Sequence, residues 1–198
     1  MNLQPLFEKQ QQLDQYIIKK KGLEGQDLLP NKILALQVEL GELANEWRGF
    51  KHWSDNQEPK HGYEPLIDCD KCGGKGFWFS GERVHCQKCK QTGKVTNPLL
   101  EEYVDCLHFI LSIGNDLGIA EEWDTNIEFD GPEFTDITSQ FVVVFSGIVA
   151  AGYDMHDWFE LTERFLALGE LLGFAWEHIE QAYNEKWDEN NRRQAAGY

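Results

Sequence analysis

The chain has 198 residues, 41% hydrophobic and 13% aromatic, a size and apolar content that suit one main domain with a sizeable core. Its formal net charge of -16 repels nucleic-acid backbones and anionic membranes, so it is a poor non-specific DNA binder. The longest apolar run, 141–153, contains Ser146, Gly147 and Gly152 and falls short of the ~20 residues that cross a bilayer.

Hydrophobic spacing predicts helices with one irregular interruption. Residues 3–21 place Leu3, Leu6, Leu13 and Ile17 at helical intervals, and Gly22 ends the run. This opening segment is polar and amphipathic and has no signal-peptide core, so a cytoplasmic location is expected. Pro30 opens a second helix, with Ile33, Leu36, Leu40 and Leu43 as its buried stripe, reaching about Arg48. Residues 54–97 then change character. Prolines, glycines and four paired cysteines crowd together there and predict a small module inserted between helices, its metal-binding part spanning 63–97. Pro98 opens a third helix running to about Leu117. Residues 119–135 are polar and acidic and read as a loop. Helical patterns resume over 136–151, 154–172 and 174–194, with Gly152 and Gly173 near the breaks. Nothing suggests a parallel sheet or a glycine-rich phosphate loop.

On the second helix Glu39 and Glu42 are three apart and Glu46 follows, which puts all three on one face. Glu102 and Asp105 repeat the spacing on the third helix. If the two apolar stripes pack together, the acidic faces meet near the seam and raise one another's pKa values. A hard divalent cation resolves that repulsion. Mg²⁺ takes oxygen ligands and keeps waters and phosphates in its shell. Spacing alone favours a solvated charged surface, because such pairs are common on exposed helices.

Cys69-x2-Cys72, thirteen residues, then Cys86-x2-Cys89 is the spacing of two knuckles that together make a tetrahedral zinc site of four thiolates. Such a site has no open position and is structural. Iron–sulfur ligation is the weaker alternative. The segment resembles a cysteine-rich zinc unit of the DnaJ chaperone type. Its basic residues, including Lys71, Lys75, Lys88, Lys90 and Lys94, either offset the charge of the metal centre or form a patch for a partner. Cys106 stands apart and reads as a buried helical residue. Near the end, Lys186, Asn190 and Arg193 fall on one helical face, two cations flanking an amide, which suits a polar ligand with an anionic tail.

Four ordered motifs carry a resemblance. They are FEKQQQLDQYI at 7–17, ELGELANEWRGFKHW at 39–53, EYVDCLHFILS at 102–112, and a late Tyr183-xx-Lys186-xxx-Asn190-xx-Arg193 followed by Gly197 and Tyr198. Together they resemble the all-α dimeric dUTPases of the MazG-like nucleoside-triphosphate pyrophosphohydrolase superfamily. The resemblance implies an all-α helical bundle carrying the zinc module as an insertion, and a homodimer. It implies Mg²⁺-dependent hydrolysis of dUTP, and of dUDP, to dUMP. Glu39, Glu42, Glu102 and Asp105 would hold Mg²⁺, with Glu39 or Glu42 as general base to a metal-bound water. Lys186 and Arg193 would bind phosphate oxygens. Asn190, Gln10 and Asp14 would meet the base or sugar, Phe109 would lie against the deoxyribose, and Lys51 and Trp53 would flank the nucleotide. Aromatic helix faces around Trp158, Phe165 and Trp176 are compatible with a dimer. Two further functions stay open on the residues alone: pyrophosphohydrolysis of another nucleotide, and a non-enzymatic zinc-ribbon interaction module on a helical scaffold.

Overall fold

A computed structural model describes residues 1–128 and 131–197. Helices dominate it: α1 (Gln4–Lys21), α2 (Leu29–Trp47), α3 (Pro98–Asp116), α4 (Ile119–Glu122), α5 (Ile137–Ala151), α6 (Met155–Leu171) and α7 (Trp176–Ala195). Between α2 and α3 lie four short strands, β1 (Leu66–Asp68), β2 (Phe77–Ser80), β3 (Glu82–His85) and β4 (Lys94–Thr96). They pair as two antiparallel ribbons, β1 with β4 and β2 with β3.

Local signals start and stop these elements. The Asn97 side chain accepts the Leu99 N–H and Pro98 follows it, the arrangement that opens α3. Asp136 and Asp154 cap α5 and α6 in the same way. Gly22 closes α1 in the left-handed region behind three lysines that face the negative end of the helix dipole.

α3 is the central rod. It packs against α1, α2, α4, α6 and α7, and most of its residues are buried. Around it, Leu6 and Phe7 of α1, Leu36, Leu40 and Leu43 of α2, Trp158 and Phe165 of α6, and Tyr183 of α7 close one core. Removing this much apolar surface from water is what holds the helices in register.

Two expectations change. The segment 119–135 is not all loop: it holds the short helix α4, and Ile119 and Ile127 are core residues. Its backbone also ties down the chain start, since the Met1 ammonium donates to Ile127 O and Leu3 N–H donates to Thr125 O. Apolar residues at 119 and 127 outweighed the acidic composition around them. Phe129 and Asp130 of that segment lie outside the described residues. The second change concerns the aromatic faces. Trp158 and Phe165 are both 0% exposed, spent on this chain's own core, and so offer no surface to a partner.

Candidate active site and cysteine centre

α2 lies along α3, and the seam between them carries the acidic faces. Glu39, Glu42 and Glu102 each bring a carboxylate oxygen within 4.8 Å of the others. Asp105, one turn beyond Glu102, has its Oδ2 2.6 Å from Lys186 Nζ, and the same ammonium donates to Glu101 Oε1 at 2.9 Å. The structure therefore brings three of the four expected carboxylates into one cluster and pairs the fourth with a cation from α7.

The electrostatics of this seam are strained. Glu39 is pushed up to about 7, first by burial and then by the charges of Asp105 and Glu42, against the pull of Lys186. Glu102 is pushed up to about 7 by burial, then by Asp105, Glu42 and Glu39. Burial also raises Asp105, although Lys186 works against it. For Lys186 burial acts downward, but Asp105 and Glu101 outweigh it and hold the ammonium above its ordinary range. An all-oxygen donor set with more negative charge than it can stabilise alone fits a hard divalent cation such as Mg²⁺. Cys106 sits behind this cluster, fully buried, and burial together with Glu39, Asp105 and Glu102 pushes its thiol well up. Burial and these charges all disfavour its thiolate, the form a nucleophilic cysteine needs.

The remaining expected residues fall into three groups. On α7, Asn190 is half-buried, and Arg193 pairs with Glu189 while its charge also reaches Asp105. Tyr198 of the same motif lies outside the described residues. On α1, Gln10 and Asp14 belong to a buried network. Gln10 Nε2 donates to Asp14 Oδ1 at 2.8 Å, and Ser112 Oγ donates to Asp14 Oδ2 at 2.6 Å. Gln10 Oε1 receives the Tyr183 hydroxyl at 2.9 Å and faces His108 Nδ1 at 2.7 Å. Gln10 is thus 4% exposed, with its amide already engaged on both sides. Beyond α2, Arg48 takes a left-handed conformation and folds its guanidinium back to donate to Asn56 O at 3.1 and 3.0 Å. That clasp closes the turn carrying Lys51, whose ammonium sits over Phe50, and Trp53, which is 66% exposed. Phe109 is half-buried against the core, one turn past Asp105.

Sequence reasoning missed Glu101, Asn97 and Arg48. Glu101 is four residues before Asp105 and so shares its face, a signal that was present. Asn97 before Pro98 is a helix-start signature, but its other bonds are tertiary. Its Nδ2 donates to Gly62 O at 3.0 Å and Glu64 O at 2.7 Å, bolting the start of α3 to the segment that leads into β1. Nothing in the sequence marks the Arg48 clasp.

The cysteine centre is built on repeated backbone geometry. Cys69 and Cys86 Sγ are 3.8 Å apart, and Cys72 and Cys89 Sγ 3.7 Å. Tetrahedral coordination with Zn–S bonds of ~2.3 Å requires sulfur–sulfur edges of about 3.8 Å. Gly76 N–H donates to Cys72 Sγ and Gly93 N–H to Cys89 Sγ, at 3.2 and 3.3 Å. Each knuckle also crosses to the other: Cys69 N–H donates to Gly93 O and Cys86 N–H to Gly76 O. A Cβ at Gly76 or Gly93 would lie 2.2 or 2.1 Å from a carbonyl oxygen of the opposite knuckle, and both residues have positive φ. Only glycine fits there. For Cys89, burial acts upward, yet the Gly93 N–H and neighbouring thiols bring it down to about 7. Four buried sulfurs within 4.8 Å of one another, two pairs at the tetrahedral separation and two sulfurs receiving backbone N–H donors, fit zinc. The module's basic residues are partly used internally, since Lys88 pairs with Asp70 and Lys94 with Asp68. A cavity of about 690 Å³ separates the module from α3 and α7, with Lys88 and Lys94 on one wall and Glu101, Lys186 and Arg192 on the other. It opens beside Lys186, and Glu39, Glu42 and Glu102 do not line it.

A family model described as dUTPase matches residues 2–69 and 87–198 of this chain. The unmatched stretch, 70–86, falls inside the cysteine module and contains none of the helical site residues. No curated protein matches the chain.

Proposed function

This chain belongs to the all-α dUTPase family and is a dUTP diphosphatase, and we propose that it works through Mg²⁺ held by Glu39, Glu42, Glu102 and Asp105. The observation that carries the proposal is the convergence of the first three carboxylates within 4.8 Å, with Asp105 and Lys186 beside them. Bound there, Mg²⁺ would supply a Lewis acid toward the phosphoryl oxygens and a more acidic water. Glu39 or Glu42 would hold the attacking water and take its proton. Attack at the α-phosphorus breaks its bond to the bridging oxygen, leaving dUMP and pyrophosphate. Lys186 and Arg193 would turn from their present carboxylate partners to the phosphate oxygens, a charge-assisted exchange that offsets the negative charge of the leaving group.

Specificity would come from the surroundings of the cluster. Phe109 would lie against the deoxyribose and leave no room for a 2′-hydroxyl. Asn190, with Gln10 and Asp14 behind it, would meet the base or sugar, and Lys51 and Trp53 would flank the nucleotide. The smaller substrate dUDP would share these contacts.

Zinc at Cys69, Cys72, Cys86 and Cys89 would be structural, in a module at 63–97 inserted in a helical body that spans the rest of 1–198. Reduced thiols suit a reducing compartment such as the cytoplasm. A homodimer would cover the exposed Leu34 and Val38 of α2 and Val142 and Val149 of α5. Leu34 and Val38 lie at four-residue steps before Glu42, so a partner seated on them would wall the carboxylate cluster on that side.

A panel of nucleotides incubated with the zinc-loaded protein tests the proposal. Pyrophosphate release from dUTP, dependent on Mg²⁺ and lost in Glu39→Gln, is the expected result. Intact dUTP in the presence of Mg²⁺ would overturn it.

A further inference from the structure

His108 carries a nitrogen that the reaction scheme above does not use. The side chain is 5% exposed, and among the described residues its Nε2 is buried without a hydrogen-bond partner. An unmet polar atom in a protein interior costs free energy and calls for a reason.

Its protonation follows from its neighbours. The Asp14 carboxylate can only accept from Gln10 Nε2, which sets the orientation of the Gln10 amide. Gln10 Oε1 therefore faces His108 Nδ1 as an acceptor, and Nδ1 must carry the hydrogen. Burial, reinforced by the nearby charge of Lys186, pulls His108 down to about 3, so the ring is neutral. One hydrogen on Nδ1 of a neutral imidazole leaves Nε2 a bare acceptor. The bond to Gln10 fixes which way the ring faces, and stacking on Tyr183 at 4.1 Å with an interplanar angle of 20° holds its plane. Three residues, Asp14, Gln10 and Tyr183, thus hold one acceptor in place on α3, the helix that carries Asp105 and Phe109.

We propose that His108 Nε2 accepts a hydrogen bond from the nucleoside of the substrate, from a neutral N–H or O–H donor. This rests on the dUTPase reading above. Two groups of dUTP have that chemistry, the imide N3–H of the base and the 3′-hydroxyl of the sugar. The contact would form once Lys186 leaves Asp105 for the phosphates, which opens the ion pair whose charge reaches the imidazole. Cytosine presents an acceptor at N3, so a contact to the base would also reject dCTP.

The test uses the zinc- and Mg²⁺-loaded enzyme with dUTP, N3-methyl-dUTP and 2′,3′-dideoxy-UTP. In wild type, loss of the contacted donor lowers kcat/KM by about tenfold or more, because the buried acceptor is left unmet. His108→Asn keeps a donor near the Nδ1 position toward Gln10 and removes Nε2. In this variant the penalty for the same analogue shrinks to about twofold or less, whereas His108→Gln, which restores an acceptor near the Nε2 position, recovers part of it. The analogue affected identifies the donor. A penalty unchanged in a folded His108→Asn, or wild type that turns over both analogues as fast as dUTP, overturns the contact. If neither variant folds, the ¹⁵N resonance of His108 Nε2 in wild type decides: it shifts when a non-hydrolysable dUTP analogue binds, and an unmoved resonance overturns the inference. Failure of wild type to cleave dUTP would instead overturn the function itself.

Discussion

The carboxylate cluster and the cysteine centre are opposites in construction. Glu39, Glu42 and Glu102 stand on two rigid helices, half-exposed or exposed, with their charges in conflict. The four cysteines sit on turns, buried, with backbone N–H groups aimed at two of their sulfurs. One arrangement is held open by helix packing and left electrostatically unsatisfied. The other is closed, each knuckle supplying the hydrogen bonds that the opposite one needs. A site that must admit water and phosphate has to keep free coordination positions, whereas a structural centre fills all of them.

The largest test of this contrast is Glu39→Gln. It should lower kcat for dUTP on the order of 10³-fold, several kcal/mol of lost transition-state stabilisation. The melting temperature should hold or rise, because one like charge leaves the cluster. Pyrophosphate release and a thermal melt read both, and an enzyme that keeps more than a tenth of its rate would separate the acidic cluster from the reaction.

Cys72→Ser should act the other way round. Metal analysis would show zinc lost, and limited proteolysis would cut between β1 and β4, while the far-ultraviolet helical signal persists. Activity should fall by about tenfold, roughly 1.4 kcal/mol, transmitted through the Asn97 bolt at the start of α3. Uncut protein with no zinc would show that the ribbons stand without the metal.

The pH dependence should differ between metal-free and Mg²⁺-loaded protein. Glu39 and Glu102 titrate at about 7 when folded, against an ordinary value of 4.5. The folded state thus binds more protons between these values, so stability is greatest below about 4.5 and is lost as pH rises through 7. Each site contributes on the order of 1 kcal/mol, after allowance for solvent screening at half-buried positions. Metal-free protein should therefore melt at a lower temperature at pH 8 than at pH 5.5, and saturating Mg²⁺ should remove that slope. An equal slope with and without Mg²⁺ would place the cation elsewhere.

Trp53→Ala should give the smallest effect. Its ring is 66% exposed and meets Phe50 only edge-on, so stability should move by less than ~0.5 kcal/mol. KM for dUTP should rise about threefold if the indole flanks the nucleotide, which is under 1 kcal/mol of binding. An unchanged KM would remove Trp53 from the site.

Much of this was readable in advance. The apolar intervals of α2, the Pro98 start of α3 and the Gly22 stop of α1 follow from local chemistry, and those helices lie within a few residues of their expected bounds. The acidic composition of 119–135 concealed α4 and the burial of Ile127, because single apolar residues in a polar stretch leave no periodic trace. The aromatic spacing on α6 showed that a face is buried and was silent on what buries it. Gln10 and Asp14 stood out in the opening motif, but nothing local shows that Gln10 meets His108 and Asp14 meets Ser112, bonds that join α1 to α3 across 98 positions.

By itself the sequence determined which side chains share a face and which cysteines form pairs. Both are consequences of fixed helical pitch and short turns, which need no knowledge of the rest of the chain. Tertiary structure alone decided that Asp105 meets Lys186, that Glu101 joins them, and that one imidazole nitrogen is buried without a partner among the described residues. Those outcomes depend on how α7 and α1 pack across α3, and packing is settled by the whole core at once.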